Sequence, residues 1–511
     1  MKRVWVWMVT VCLVLTGCQG MEPAWREIPG VSSESGEKEE KEETTQQVQT
    51  QTEETGTKDS LSLSIPETSE SAESLEETDG DEMESQNHES DERTDKTNRN
   101  DDSSEVIESR IAIATDIHYL EKSLTDNGKS FQAMVQNGDG MMIQYCWEIM
   151  MAFLEQIEKE KPDVLVLSGD LTKNGEKKSH EALAERLKRL ENAGIPVVVI
   201  PGNHDINSPY ACGFRGDETY SVQQISAKQF AQIYKDFGYK EAISTDPYSL
   251  SYVYSLNEYT WLLMLDSCQY EPKNLVGGMI REETYDWIEE NLKIAWEEGV
   301  RVIPISHHNL LEQTNASEEF IKNCTIEHDE RLIELWEDNQ INIHLSGHLH
   351  LQHYKQTESE HPLYEVVTGS LMMYPCKYGI LEVMNSGDMY YYTQKVPVAE
   401  WAAKYKKNDR NLLTFDSYAE QFLYDLSYRK VYESLQNHGI SKEDSDKMAK
   451  LYARLTPNFY AGTIPNEREE ILRDPAYELW KESEYFSEVS TTIQTVIEEE
   501  NHNFNRLFVP Y

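Results

Sequence analysis

Five short segments concentrate groups that bind divalent cations: Thr115-Asp116-Ile117-His118, Ser168-Gly169-Asp170, Gly202-Asn203-His204-Asp205, Ser306-His307-His308 and Gly347-His348-Leu349-His350. Singly, each has an ordinary explanation: Asp116 could cap a helix, Asn203 favours a turn, and a lone histidine is usually a satisfied loop or core residue. Together they supply carboxylate and carboxamide oxygens and imidazole nitrogens. That is the set required by two divalent ions about 3.5–4 Å apart, with one carboxylate able to bridge them. Two such ions can bring the pKa of a bridging water toward neutrality while neutralising the phosphoryl oxygens that the resulting hydroxide attacks. A histidine near the ions but not bound to them could then give a proton, or a hydrogen bond, to the leaving oxygen.

The elements that must position these groups are legible as well. Each segment directly follows a short apolar run: Ile111 to Ala114, Asp163 to Leu167, Val197 to Ile200, Val302 to Ile305 and Ile341 to Leu345. Five strands delivering polar groups at their carboxyl ends match the place where open α/β sheets hold ligands. After Asp170, Asn174-Gly175 reads as a turn, and Leu183, Leu187 and Leu190 recur at helical spacing before Gly194-Ile195-Pro196 stops the helix. This β-α-β pattern predicts parallel neighbouring strands. A second helix is predicted over about residues 282–298, and Tyr248–Leu256 and Tyr259–Asp266 read as a hairpin turning at Asn257-Glu258. The fold class is therefore α/β, with a mixed-sheet sandwich.

The rest of the 511-residue chain divides by composition. Residues 1–18 carry two basic residues, an apolar run too short for an ordinary membrane span, and a small-residue site, which is the pattern of an export signal. Their end, Leu15-Thr16-Gly17-Cys18, resembles the lipobox of bacterial lipoproteins, which implies lipidation at Cys18 and an extracytoplasmic protein anchored to the bacterial cell membrane. Residues 19–109 hold 28 Asp or Glu against 7 Lys or Arg and almost no aromatics, so they cannot bury enough apolar surface to order themselves. They read as a disordered acidic tether and account for 21 of the chain's 45 net negative charges. Nearly half of the acidity is thus the tether's, and no nucleic-acid-binding surface is evident. Cys146, Cys212, Cys268, Cys324 and Cys376 lie far apart with no metal-type spacing, and nothing requires that they pair.

With the five blocks in this order, residues 110 to about 385 resemble the calcineurin-like metallophosphoesterase superfamily. The resemblance implies a four-layer sandwich of two packed mixed β-sheets flanked by helices, with two metal ions at the sheet edge. It implies that Asp116, His118 and His350 bind one metal, that Asp170 bridges, and that Asn203, His307 and His348 bind the other, His308 either supporting those ligands from behind or being structural. By the same resemblance His204 assists the leaving group, with Asp205 placed to orient its ring or raise its basicity. No Asp-Arg-Gly follows Gly169-Asp170, and Asp205 stands where protein serine/threonine phosphatases carry Glu. Lys173 stands where a purple acid phosphatase has its tyrosine. The pattern is most similar to the cyclic-nucleotide phosphodiesterase-like and glycerophosphodiesterase-like branch, which uses Mn, Fe, Zn or Co.

That branch implies phosphodiester hydrolysis on a phosphate-ester small molecule or a wall- or lipid-derived diester. Phosphomonoesterase or nucleotidase activity is the alternative, and a non-catalytic surface lipoprotein that binds phosphate or a partner is the alternative of another class. The metallophosphoesterase domain is placed at 110–396 and a helical C-terminal domain at 397–511, where Phe415, Tyr418 and Phe422 recur at helical spacing. Residues 119–145 form an insertion that reads equally as a cover over the metals or as a passive surface loop.

Overall fold

The computed structural model describes residues 106–313, 324–463, 468–483, 493, 497 and 503–511. The export signal, Cys18 and the tether up to residue 105 lie outside the described residues.

The five apolar runs form strands β1 (Ile107–Ala114), β2 (Val164–Ser168), β3 (Val197–Ile200), β4 (Arg301–Ile305) and β5 (Ile343–Ser346). One six-stranded sheet has the order 506–509, 389–395, 377–384, β1, β2, β3. Within it β1, β2 and β3 are parallel, whereas 377–384 runs antiparallel to β1. The other sheet has seven strands, ordered 353–356, 364–367, β5, β4, 260–264, 252–255, 244–245. There β4 pairs in parallel with β5 and with 260–264, and the predicted hairpin of 252–255 with 260–264 is antiparallel.

Alternation along the strands explains why the sheets stack. Ile111, Ile113, Val164, Val166, Val198 and Ile200 point to one face and share a core with Leu262, Met264, Ile303, Ile305, Ile343 and Leu345 of the other sheet. The intervening Ala112, Ala114, Leu165, Leu167, Val197 and Val199 point outward and are covered by helices α1 (Lys129–Asn137), α2 (Cys146–Glu160) and α3 (Lys177–Asn192). Helix α4 (Glu282–Glu298) and helix Asp329–Asp338 cover the outer face of the second sheet. With both faces buried, strands read as continuous apolar runs. The layers are helix, sheet, sheet, helix, as the family resemblance implies.

The insertion after the first block is largely structured. Phe131 and Val135 of α1, and Met141, Met142 and Ile143 beyond it, are buried in the helical layer. C-terminal helices share that layer: Val398, Trp401, Leu412, Phe415 and Ala419 belong to the same core as α2. Helix α5 (Phe415–Asn437) then pairs with α6 (Lys442–Ala461), and the chain returns at Arg506–Val509 as an edge strand of the first sheet. The five described cysteines are unpaired. No helix among the described residues is long and apolar enough to cross a membrane.

Candidate metal centre

The strand ends converge on one buried site. Asp116, His118, Asp170, Asn203, His307, His348 and His350 are each at most 4% exposed. Two glycines of the blocks permit this crowding. A β-carbon at Gly202 would lie 2.2 Å from both the Asp170 backbone nitrogen and Oδ1, and one at Gly347 would lie 2.1 Å from Thr115 Oγ1. Five of the expected ligands sit in the left-handed region, with φ of 51° at Asp116, 43° at His118, 47° at Asp170, 71° at His348 and 60° at His350. Non-glycine residues adopt this conformation at a cost of about 1–3 kcal/mol where surrounding structure over-determines it. Here the determinants are backbone bonds such as His118 N to Asp170 O (2.8 Å) and Asp116 N to Gly169 O (3.1 Å).

The first cluster comprises Asp116, His118, Asp170 and His350. Asp116 Oδ2 accepts from Thr115 Oγ1 (2.8 Å) and His348 N (3.0 Å). That leaves Oδ1 facing His350 Nε2 at 3.3 Å and His118 Nε2 at 4.0 Å. The two Nε2 atoms are 3.1 Å apart. In the second cluster His307 donates Nδ1–H to the Ser168 carbonyl (3.0 Å), which turns the lone pair of Nε2 into the site. There it meets Asn203 Oδ1 at 3.2 Å and His348 Nδ1 at 3.3 Å. Asp170 joins the clusters: Oδ1 accepts from His204 N (2.8 Å), while Oδ2 lies 3.6 Å from His118 Nε2 and 3.4 Å from His307 Nε2.

Two observations fit these residues to cations. Asp116 Oδ1 and Asp170 Oδ2 are buried carboxylate oxygens with no hydrogen-bond donor, an arrangement that costs several kcal/mol unless a positive charge completes it. The imidazoles register the same demand. Burial alone would push His307 and His350 down, yet Asp170 carries His307 up to about 9 and Asp116 raises His350. Burial likewise raises the Asp170 carboxyl, but His307, His204 and His118 outweigh it and hold it well below the usual carboxylate range. His308 lies beside the second cluster with both ring nitrogens engaged, Nδ1 with Ser267 Oγ (2.8 Å) and Nε2 with the Val276 carbonyl (2.8 Å). It lies close enough to His307 and His348 to share an ion with them, but these two bonds engage both of its ring nitrogens, in keeping with the supporting or structural place the resemblance implies.

His204 is 7% exposed, with its ring centroid 5.0 Å from that of His118. Its Nδ1 faces two acceptors, the Lys173 carbonyl (3.0 Å) and Asn174 Oδ1 (2.9 Å), so Nδ1 carries the proton. Nε2 is buried and has no partner. The expected role of Asp205 is corrected here, because its carboxylate does not touch the His204 ring. It accepts from Gly202 N (2.9 Å), Leu171 N (3.0 Å), Thr172 N (2.9 Å) and Thr172 Oγ1 (2.9 Å), tying the third block to the second. Adjacent residues in this turn point in different directions, so proximity in sequence misled. Asn174 orients the ring instead, and its own N–H is held by buried Glu176 (3.1 Å).

A paired experiment separates the two residues. Asp205→Ala leaves three buried N–H groups without their acceptor, and should cost more than about 3 kcal/mol of stability, read as a lower melting temperature. Asn174→Ala should keep the fold and the metal content while lowering turnover by about 10–100-fold, as loss of an orienting partner does. An Asn174→Ala protein with unchanged turnover would remove Asn174 from the site.

Residues 109–352 match the calcineurin-like phosphoesterase family, and residues 397–503 match the family described as the C-terminal domain of cyclic nucleotide phosphodiesterase. A probable cyclic nucleotide phosphodiesterase of Synechococcus is 26% identical over 162 residues, 31% of this chain and 46% of that protein. A probable glycerophosphodiester phosphodiesterase of Arcobacter nitrofigilis is 43% identical over 47 residues, 9% of this chain and 16% of that one. The chain thus spans less than half the length of each of these curated relatives. Among solved structures, a dimetal phosphatase from Danio rerio is similar with a TM-score of 0.40 and 11% identity, over 57% of this chain and 97% of that one. The two family matches and the two curated relatives support a metallophosphoesterase, and with it a hydrolase.

Proposed function

We propose that the chain is a dinuclear metal-dependent phosphodiesterase in which His204 serves the leaving group. The observation that carries this reading is the pair of unpartnered carboxylate oxygens, Asp116 Oδ1 and Asp170 Oδ2, buried among inward-facing imidazoles with the unpartnered Nε2 of His204 beside them. Asp116, His118 and His350 would hold one ion, Asn203, His307 and His348 the other, and Asp170 both. Divalent cations at such a site neutralise phosphoryl oxygens and make water more acidic.

The chain's own residues supply the rest. Buried walls exclude bulk water from the strand ends, and Gly202 and Gly347 let the blocks approach closely enough to share one substrate phosphate. As water adds to phosphorus and the bond to the leaving oxygen breaks, imidazolium His204 gives its Nε2 proton to that oxygen and keeps the Nδ1 proton on Lys173 and Asn174. Burial pushes the His204 pKa down, with Asp170 opposing, so the ring takes its Nε2 proton from solvent before the step and is then a stronger acid than a free imidazolium. A structural metal site would not need this extra acid.

The preference for diesters is supported by the names of the two relatives. The substrate class proposed is an external phosphate ester, such as a nucleotide, a glycerophosphodiester or a wall-derived diester. A screen of the purified full chain over diesters and monoesters, with Mn, Zn or Fe added, tests this. Faster hydrolysis of bis-(p-nitrophenyl) phosphate than of p-nitrophenyl phosphate is expected, and the reverse would make the protein a phosphomonoesterase.

The setting proposed is extracytoplasmic, with Cys18 lipidated and the acidic segment that precedes β1 (Ile107–Ala114) linking it to the enzyme. The support is the basic, apolar and small-residue order of residues 1–18. A fatty-acid analogue should label the wild-type chain in cells, and equal labelling of Cys18→Ala would refute the anchor.

A further inference from the structure

The second cluster has a brace of its own in the segment 267–278, between strand 260–264 and α4. On one side this segment binds the turn that carries Asn203. Asn203 and Ile206 are buried, so their carbonyls need donors from within the protein. A single group supplies both: Asn274 Nδ2 donates one hydrogen to Asn203 O (2.7 Å) and the other to Ile206 O (2.9 Å). Cys268 Sγ donates to Pro201 O (3.3 Å), and Asn207 Nδ2 donates in the opposite direction, to Tyr270 O (3.2 Å).

The other side of the segment holds His308. Ser267 and the Val276 carbonyl, which engage its two ring nitrogens, both belong to 267–278, and a β-carbon at Gly278 would lie 2.6 Å from His308 Cβ. The His308 ring in turn lies against those of His307 and His348, with centroids 5.0 and 4.6 Å away. One segment thus reaches Asn203 directly and His307 and His348 through His308. The first cluster is braced from elsewhere: Ser370 Oγ donates to Asp116 O (2.8 Å) and Ser370 N to His350 O (3.1 Å).

We propose that Asn274 is a positioning residue for one cation of the pair, the one held by Asn203, His307 and His348. The proposal rests on the two-cation reading above. Asn203 offers an uncharged carboxamide oxygen, so no long-range attraction like that of Asp170 draws it onto the ion. Its contribution depends on a turn already fixed in place, and the two bonds from Asn274 fix it.

The test strips the full chain with a chelator and titrates Mn back by calorimetry, while paramagnetic resonance follows the spin coupling of two neighbouring Mn ions. In the wild type both ions should bind and couple. Asn274→Leu, which keeps the shape of the side chain without its donors, should weaken one ion by about 10–100-fold and leave the other within about twofold, so that coupling appears only at higher Mn. Added to Asn203→Ala, the same substitution should cause no further loss, because the ligand it positions is already gone. Should Asn274→Leu fail to fold, Asn207→Asp removes the donor to Tyr270 at the same junction and carries the same expectation.

Equal weakening of both ions, unchanged binding of both, or a further loss on the Asn203→Ala background would overturn the proposal and leave the two-cation reading standing. A wild-type chain that binds a single ion would sink both. Selective loss of one ion in a protein that hydrolyses no phosphate ester would uphold the Asn274 assignment and sink the catalytic reading instead.

Discussion

Asp170→Asn is expected to abolish stable binding of the ion pair and to lower turnover by more than about a thousandfold, equivalent to about 4 kcal/mol of lost transition-state stabilisation. Asp170 faces both clusters, with Oδ2 3.6 Å from His118 Nε2 and 3.4 Å from His307 Nε2. An amide in its place removes the negative charge and puts either a donor NH₂ or a weaker carbonyl at the shared position. His307 also loses the carboxylate that most strongly raises its pKa. The amide oxygen can still accept from His204 N, as Oδ1 does at 2.8 Å, so the loop between the blocks should persist. Metal content by mass spectrometry and turnover should therefore fall together while the protein stays folded by circular dichroism. A variant holding two ions and working within tenfold of wild type would show that Asp170 does not bridge.

His204→Ala should behave differently, keeping both ions and losing about 10²–10⁴ in turnover on diesters with poor alkoxide leaving groups. The contact of His204 with Asp170 runs through its backbone N–H, which alanine retains. What disappears is Nε2, the buried ring nitrogen without a partner. A p-nitrophenoxide leaving group hardly needs protonation, so its hydrolysis should drop much less. The ratio of the two losses is the diagnostic. Equal losses on both substrates would assign His204 to positioning, and full activity on the alkyl diester would remove it from the mechanism.

The five blocks were legible because each apolar run ends directly in its polar groups. The run lengths and the helix around Leu183, Leu187 and Leu190 foretell a parallel β1-β2-β3 unit, and it is found. The role of Asp205 was misread because neighbours in a turn need not face the same way. Asn174 was legible only as half of an Asn-Gly turn; its bond to His204 depends on two strand ends meeting across 30 residues. Helix α1 escaped notice because its apolar residues, Phe131 and Val135, are few and are held by tertiary packing. The return of Arg506–Val509 to the first sheet had no local signal, since a four-residue edge strand is defined by its partner at 389–395. Left-handed backbone at Asp116, His118, Asp170, His348 and His350 is likewise imposed by the converging loops.

The proposed function requires two cations held around Asp170. Its most direct test is to strip the full chain with a chelator and titrate Mn back while following hydrolysis of bis-(p-nitrophenyl) phosphate. Activity is expected to be absent without metal and to saturate when two ions are bound per chain. Full activity in the stripped protein, or two bound ions with no hydrolysis of any phosphate ester, would contradict the account.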